Sequence, residues 1–160
     1  MKVLVVYDSV FGNTEQVARA IVRALSSQAD TQVLRVGDVR PEHFTGLGML
    51  IVGSPTRAFR PTPATSVLLR KIPANGLEGA NIAAFDTRMP MTGKVPAILR
   101  FMSRLFGYAA QSLSTRLERK GGRLAIPPEG FFVEGTEGPL KAGELERAAD
   151  WARRALKSPT

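Results

Sequence analysis

Three short apolar runs constrain this chain more than any other feature. KVLVVY (2–7), MLIVG (49–53) and NIAAFD (81–86) are nearly unbroken in hydrophobic residues. A strand with one wet face alternates polar and apolar positions, whereas a run apolar on both faces fits a parallel strand covered from both sides. The segments between them keep a different period. In 15–27, Val17, Ala18, Ile21, Val22 and Leu25 recur at helical spacing, with Arg19 and Arg23 opposite. Further helices are expected over 62–72, closed by 73–79, over 97–120 with Gly107 as a candidate kink and Gly121–Gly122 as the stop, and over 141–157. TQVLRV (31–36) reads as a shorter, alternating strand. RLAI (123–126) and GFFVEG (130–135) read as one edge-region strand interrupted by Pro127 and Pro128, because proline cannot donate to a central ladder.

Strands and helices thus alternate along the whole chain. That pattern predicts an α/β fold, a doubly wound parallel sheet in a three-layer sandwich with right-handed crossovers. A length of 160 residues is compatible with a single domain over 1–160 that buries its own core. In such sheets ligands bind outside the carboxyl ends of the strands. The loops after the first, third and fourth strands are therefore the places to look.

Composition removes several chemistries. There is no cysteine, which excludes disulfides, thiolate metal sites and thiol catalysis, and fits a cytoplasmic chain. His43 is the only histidine, so a Ser-His-Asp triad has one candidate base and a multi-histidine metal site has none. No apolar run reaches the length of a membrane span, and the N-terminus is already a strand pattern rather than a signal peptide. The net charge of +8 raises nucleic acid as a partner. The arginines, however, are spread over helices (Arg19, Arg23, Arg100, Arg104, Arg116, Arg119, Arg153, Arg154) with no interleaved aromatics to stack bases. Solvated helix faces and attraction to acidic partners are the preferred account.

The first loop, DSVFGNT (8–14), is small and polar and opens directly into a helix. Ser9 and Thr14 offer hydroxyls, Asn13 an amide, and Gly12 a backbone free to turn its N–H groups inward. A helix N-terminus adds its positive dipole end. No Lys or Arg lies in 9–14, so an anion here would be held by neutral donors. On composition alone the stretch reads as well as a plain turn with Thr14 as helix N-cap. Other phosphate loops do not fit. Gly93-Lys94 is followed by Val95 with Arg88 five positions upstream of Gly93, so there is no Walker A motif, and no GxGxxG follows the first strand. A receiver domain would need an acceptor aspartate where the third strand ends in Gly53-Ser54.

YDSVFGNTEQVARAI (7–21) resembles the FMN-phosphate loop and first helix of the flavodoxin family. The resemblance implies a five-stranded parallel sheet of order 2-1-3-4-5 and FMN as cofactor, its phosphate cradled by Ser9, Val10, Phe11, Gly12, Asn13 and Thr14. It also assigns GSPTRAFRPTP (53–63) to the flavin ring, through Pro55, Thr56, Arg57, Ala58 and Phe59, with Phe59 the best aromatic candidate. The wording of this second loop is similar to that of FMN-dependent quinone reductases. Loop three, FDTRMPMTG (85–93), is expected to cover the other side of the ring through backbone at Asp86, Thr87, Arg88 and Met89. Here the chain departs from the family, since no aromatic occurs between Asp86 and Arg100. One ring face is therefore expected to be covered by Met89 or Met91, or left open to a substrate. Arg57, Arg60 and Arg88 are candidates to favour a reduced, anionic flavin.

The resemblance implies electron transfer in which the flavin carries the chemistry and no catalytic side chain is needed. An FMN-dependent NAD(P)H:quinone-type oxidoreductase is the alternative, and a flavin-free binding module the third. Expected partners are a redox protein or a NAD(P)H- or quinone-type small molecule, with a homodimer open. The segment 127–148 is assigned no chemistry, and Glu129, Glu134 and Glu137 read as a solvated acidic loop.

Overall fold

The structure, a computed structural model, describes residues 1–93 and 95–159. Strands β1 (Lys2–Tyr7), β2 (Asp30–Arg35), β3 (Met49–Pro55) and β4 (Asn81–Arg88) lie parallel in the order β2-β1-β3-β4. The edge position beyond β4 is shared by two short parallel strands, β5 (Arg123–Leu124) and β6 (Glu129–Phe132). The expected interrupted edge strand is thus two strands with Pro127 and Pro128 between them, both pairing with β4. The sheet order is 2-1-3-4-5 with the sixth strand continuing the fifth.

Because successive side chains of a strand point to opposite faces, the doubly apolar strands feed two cores. Val3, Val5, Ile51 and Phe85 pack against α1 (Asn13–Leu25) and α5 (Glu144–Leu156). Leu4, Val6, Leu50, Val52 and Ile82 pack with Leu68 and Leu69 of α2 (Pro63–Lys71) and Leu113 and Leu117 of α4 (Ala109–Glu118). On the first face, Phe85, Phe131 and Trp151 meet edge to face with centroids 6.0 to 6.2 Å apart. Trp151 is buried, and its Nε1–H donates to the Pro127 carbonyl at 3.2 Å. Gly53 pairs with Phe85, whose ring occupies the space that a Cβ at Gly53 would need.

The expected helix over 97–120 is two helices. Gly107, at φ 68 and ψ −154, ends α3 (Ala97–Phe106), and α4 starts at Ala109. That backbone conformation has no place inside a helix and is open mainly to glycine. The last helix begins at Glu144 rather than 141, with Gly143 at φ 87 in front of it.

Candidate functional site

Loop one is built around Gly12. At φ 92 and ψ −6 it forms the N-cap of α1 with its backbone alone, so Thr14 sits within the first helical turn and not at the cap. The Gly12 N–H donates to Ser9 Oγ at 3.0 Å, which curls the loop onto itself. The first N–H groups of a helix have no partner inside it. Among the described residues, no acceptor faces the N–H groups of Asn13, Thr14 or Glu15. They add to the positive end of the helix dipole. The side chains knit this turn to its neighbours. Thr14 Oγ1 lies 2.8 Å from Thr87 Oγ1 of loop three, and Asn13 Nδ2 donates to the Glu137 carbonyl at 3.0 Å. A basic residue does reach loop one from outside it. Arg35, opposite Tyr7 on β2, donates to the Ser9 carbonyl at 2.7 Å and reaches Asp8 at 3.4 Å.

Loop two is a tight hairpin. Arg57 and Arg60 exchange backbone hydrogen bonds of 2.8 and 2.9 Å. Ala58 and Phe59 between them both have positive φ, 47 and 64, the signs of a type I′ turn. Neither residue type adopts that region readily, so the turn holds local strain against its two bridging bonds. The loop is tied down by Thr56 N–H on the Thr87 carbonyl at 3.0 Å and Thr62 N–H on Ser54 Oγ at 3.0 Å.

Loop three hangs on a buried ion pair. Asp86 is 0 % exposed and accepts from Arg88 Nε at 2.6 Å, Arg88 Nη2 at 2.8 Å and the Ala110 N–H at 2.9 Å. Burial pushes the Asp86 carboxyl up from the ordinary aspartate range, while Arg88 and the Ala110 N–H act in the opposite direction. The Arg88 guanidinium also lies 3.7 Å from the centre of the Tyr108 ring. Tyr108, from the break between α3 and α4, is thus held on Arg88.

The three loops meet in one cavity of about 230 Å³. Of the residues expected from the sequence, Ser9, Val10, Phe11, Asn13, Thr14, Pro55, Thr56, Arg57, Ala58, Thr87, Arg88 and Met89 line it. Gly12, Phe59 and Asp86 do not. Gly12 turns the backbone behind it, and Asp86 lies in the core beneath Arg88. Phe59 is directed by its positive φ toward Tyr108, 6.3 Å away, and with Arg60 and Phe106 lines a separate hollow. Val133 and Thr136 complete the cavity and were missed by the sequence reading. β6 runs parallel to β4 with Phe132 opposite Arg88, so the chain after it also emerges at the carboxyl end of the sheet. Extending the carboxyl-end rule to the last strand was the signal available. Glu129, read as solvated, accepts an ion pair from Arg147 at 3.2 Å.

No protein-family model matches the chain, and none of the curated proteins does. Solved structures do match. A flavodoxin from the domain Archaea is 20% identical, with 99% of each chain covered and a TM-score of 0.73. Oxidised flavodoxin 1 from Bacillus cereus is 15% identical over 100% of both chains, with a TM-score of 0.78. The rubredoxin:oxygen oxidoreductase of Desulfovibrio gigas matches 98% of this chain through 35% of its own length, at 20% identity and a TM-score of 0.73. The chain therefore has the flavodoxin-like fold.

Proposed function

We propose that this protein binds FMN and acts in electron transfer. The phosphate is assigned to the amide cradle of loop one, and the ring to the groove between loops two and three. One observation carries the reading. Among the described residues the N–H groups of Asn13, Thr14 and Glu15 at the start of α1 have no acceptor, and Asn13 and Thr14 line a cavity that loop one shares with loops two and three. A phosphate at a helix N-terminus satisfies such groups and the dipole together. The similarity to full-length flavodoxins supports the same reading. When bound, FMN supplies one- and two-electron chemistry. The chain's own residues hold it. The amides of Asn13, Thr14 and Glu15 would donate to phosphate oxygens, the Thr14–Thr87 hydroxyl pair fixes the spacing of loops one and three, and the Arg57–Arg60 hairpin walls one side. Phe11 and Met89 at the rim of the cavity are both exposed, so the ring edge would reach solvent there.

A second reading, an FMN-dependent NAD(P)H:quinone-type reductase, is favoured by the same exposure. Met89 is 48% exposed and Tyr108 is held on Arg88, which leaves that side of the groove open to a small acceptor.

The test is titration of the purified protein with FMN and with riboflavin, read by flavin fluorescence. FMN is expected to bind roughly a hundredfold tighter, from charge-assisted bonds to its phosphate. Replacing Thr14 with alanine removes the hydroxyl pair with Thr87 that holds the phosphate amides in place, and should weaken FMN more than riboflavin. Equal affinity for the two ligands, or none for either, would overturn the reading. Anaerobic NADPH added to the loaded protein separates the two functions. Bleaching of the flavin bands without a second protein indicates the reductase, and persistence indicates the carrier.

A further inference from the structure

The chain between Arg88 and Ala109 leaves the carboxyl end of β4 and comes back to it. Its start is fixed by Arg88 on Asp86. Its end is fixed by Tyr108 under Arg88 and by the Ala109 and Ala110 N–H groups on Thr56 and Asp86. The excursion, which contains α3, is therefore anchored at the rim of the candidate cavity, and Met89 belongs to both.

α3 is packed in an unusual way. Ser103 is its only buried residue, while Ile98 and Leu105 are each 63% exposed and Leu99, Phe101 and Phe106 are exposed as well. At helical spacing Ile98, Phe101, Met102 and Leu105 form one stripe, flanked on its Phe101 edge by Arg104 and, beyond it, Arg100. An amphipathic helix in a globular protein normally turns such a stripe to the core. This one turns it outward, and a contiguous exposed apolar patch rimmed by charge marks an interaction surface.

Charge selects the occupant. No Asp or Glu occurs from Thr87 to Leu117, or from Gly53 to Leu77, the stretches that carry loops three and two. Arg57 and Arg60 are exposed, and Arg60 shares a hollow of about 400 Å³ with Phe59, Phe106 and Arg116 at the end of α3. A second copy would set these arginines against their own kind with no carboxylate on the patch to pair them. An anionic lipid surface fits both halves of the pattern. The stripe enters the acyl boundary, the arginines meet lipid phosphates, and no complementary groove is required.

We propose that α3 is an interfacial helix that docks the cavity end of this protein on an anionic membrane surface. Among the described residues no helix is long and apolar enough to cross a membrane, so the docking is peripheral. One short stripe with basic residues beside it makes binding reversible and salt-dependent. The proposal rests on α3 and its charges and is independent of the FMN reading.

The experiment is co-sedimentation of the full chain with vesicles of phosphatidylcholine alone and of phosphatidylcholine with an equal part of phosphatidylglycerol. The expected result is binding to the anionic vesicles only, weakened by salt. Phe101→Ser/Leu105→Ser should reduce the partition coefficient roughly tenfold or more, and Arg100→Gln/Arg104→Gln should weaken it by a similar factor. These residues do not line the cavity, so FMN affinity and circular dichroism are expected to stay unchanged, which separates failure here from failure of the FMN reading. Absence of vesicle binding would overturn the proposal. So would binding that survives the Phe101/Leu105 substitutions, which indicates charge attraction without the helix. Self-association abolished by those same substitutions, with no vesicle binding, would assign the stripe to a second copy instead.

Discussion

Replacing Arg88 with methionine tests how the candidate site is held together. The substitution keeps an unbranched apolar stem but removes the guanidinium that pairs with Asp86 and stacks on Tyr108. Asp86 is fully buried, and its remaining hydrogen-bond partner is the Ala110 N–H at 2.9 Å. Breaking a buried pair from one side strands a charge, at about 3–5 kcal/mol. That is a large part of the roughly 5–15 kcal/mol by which a domain is stable. Urea unfolding followed by the fluorescence of Trp151, the only tryptophan and a buried one, reads the loss directly. With an urea slope of about 1–3 kcal/mol per molar, the midpoint should fall by at least about 1 M. The pH dependence has a defined sign. Burial raises the Asp86 pKa, and without Arg88 the rise is larger. A carboxyl whose folded pKa exceeds its unfolded one favours folding below the unfolded value and loses that contribution as pH rises through the folded value. The defect of Arg88→Met should therefore shrink as pH falls from about 7 toward 5. Asp86→Asn combined with Arg88→Met should restore much of the loss, because no charge is then stranded. A loss under about 1 kcal/mol that is equal at both pH values would refute the reasoning and mean that Asp86 is adequately solvated without its partner.

Four further outcomes are expected. Gly12→Ala meets no atom within 4 Å but must adopt φ 92, so it should cost about 1–2 kcal/mol through backbone strain and lower FMN affinity, measured by titration with the fold intact by circular dichroism. Gly53→Ala has no such room, because Phe85 fills the space, and should lose about 3 kcal/mol or more in urea unfolding. Asn13→Ala frees the Glu137 carbonyl and should speed amide exchange in 133–140 at a global cost of about 1 kcal/mol. At Glu144, burial acts to raise the carboxyl pKa, but the Arg147 and Phe132 N–H bonds outweigh it and hold the pKa below the ordinary value of 4.5. The stability this adds is present above that value and lost as pH falls through the lowered one, so the Tm gap between the protein and Glu144→Gln should close on acidification.

The alternation of periods in the sequence was enough for the layered parallel sheet. β1, β3 and β4 are apolar on both faces, and only a strand covered by helices on both sides tolerates that. The GNT turn before an amphipathic helix, placed after the first strand, was likewise legible, because tight turning and helix start are local properties of the backbone. Gly107 was visible as a weak point of the long helix, but whether a glycine bends or breaks a helix depends on what the returning chain can bond to. Here Ala109 and Ala110 find Thr56 and Asp86, which lie far away in sequence.

What only the tertiary structure decided is long-range pairing. The sequence places Arg35, Tyr108 and the Val133–Glu137 stretch in three segments with no shared motif. Strand register brings Arg35 beside Tyr7 and hence to loop one, and Phe132 beside Arg88, so that the next residues close the cavity. Phe59 shows the same limit in reverse. Its type suggests a ring contact, but two consecutive positive φ angles in the Arg57–Arg60 hairpin send it toward Tyr108. Local sequence determines which backbone states are cheap and which faces are apolar. The partner of each side chain follows from a register of hydrogen bonds between distant strands, and the exposure of the α3 stripe is fixed only by where the folded chain leaves that helix.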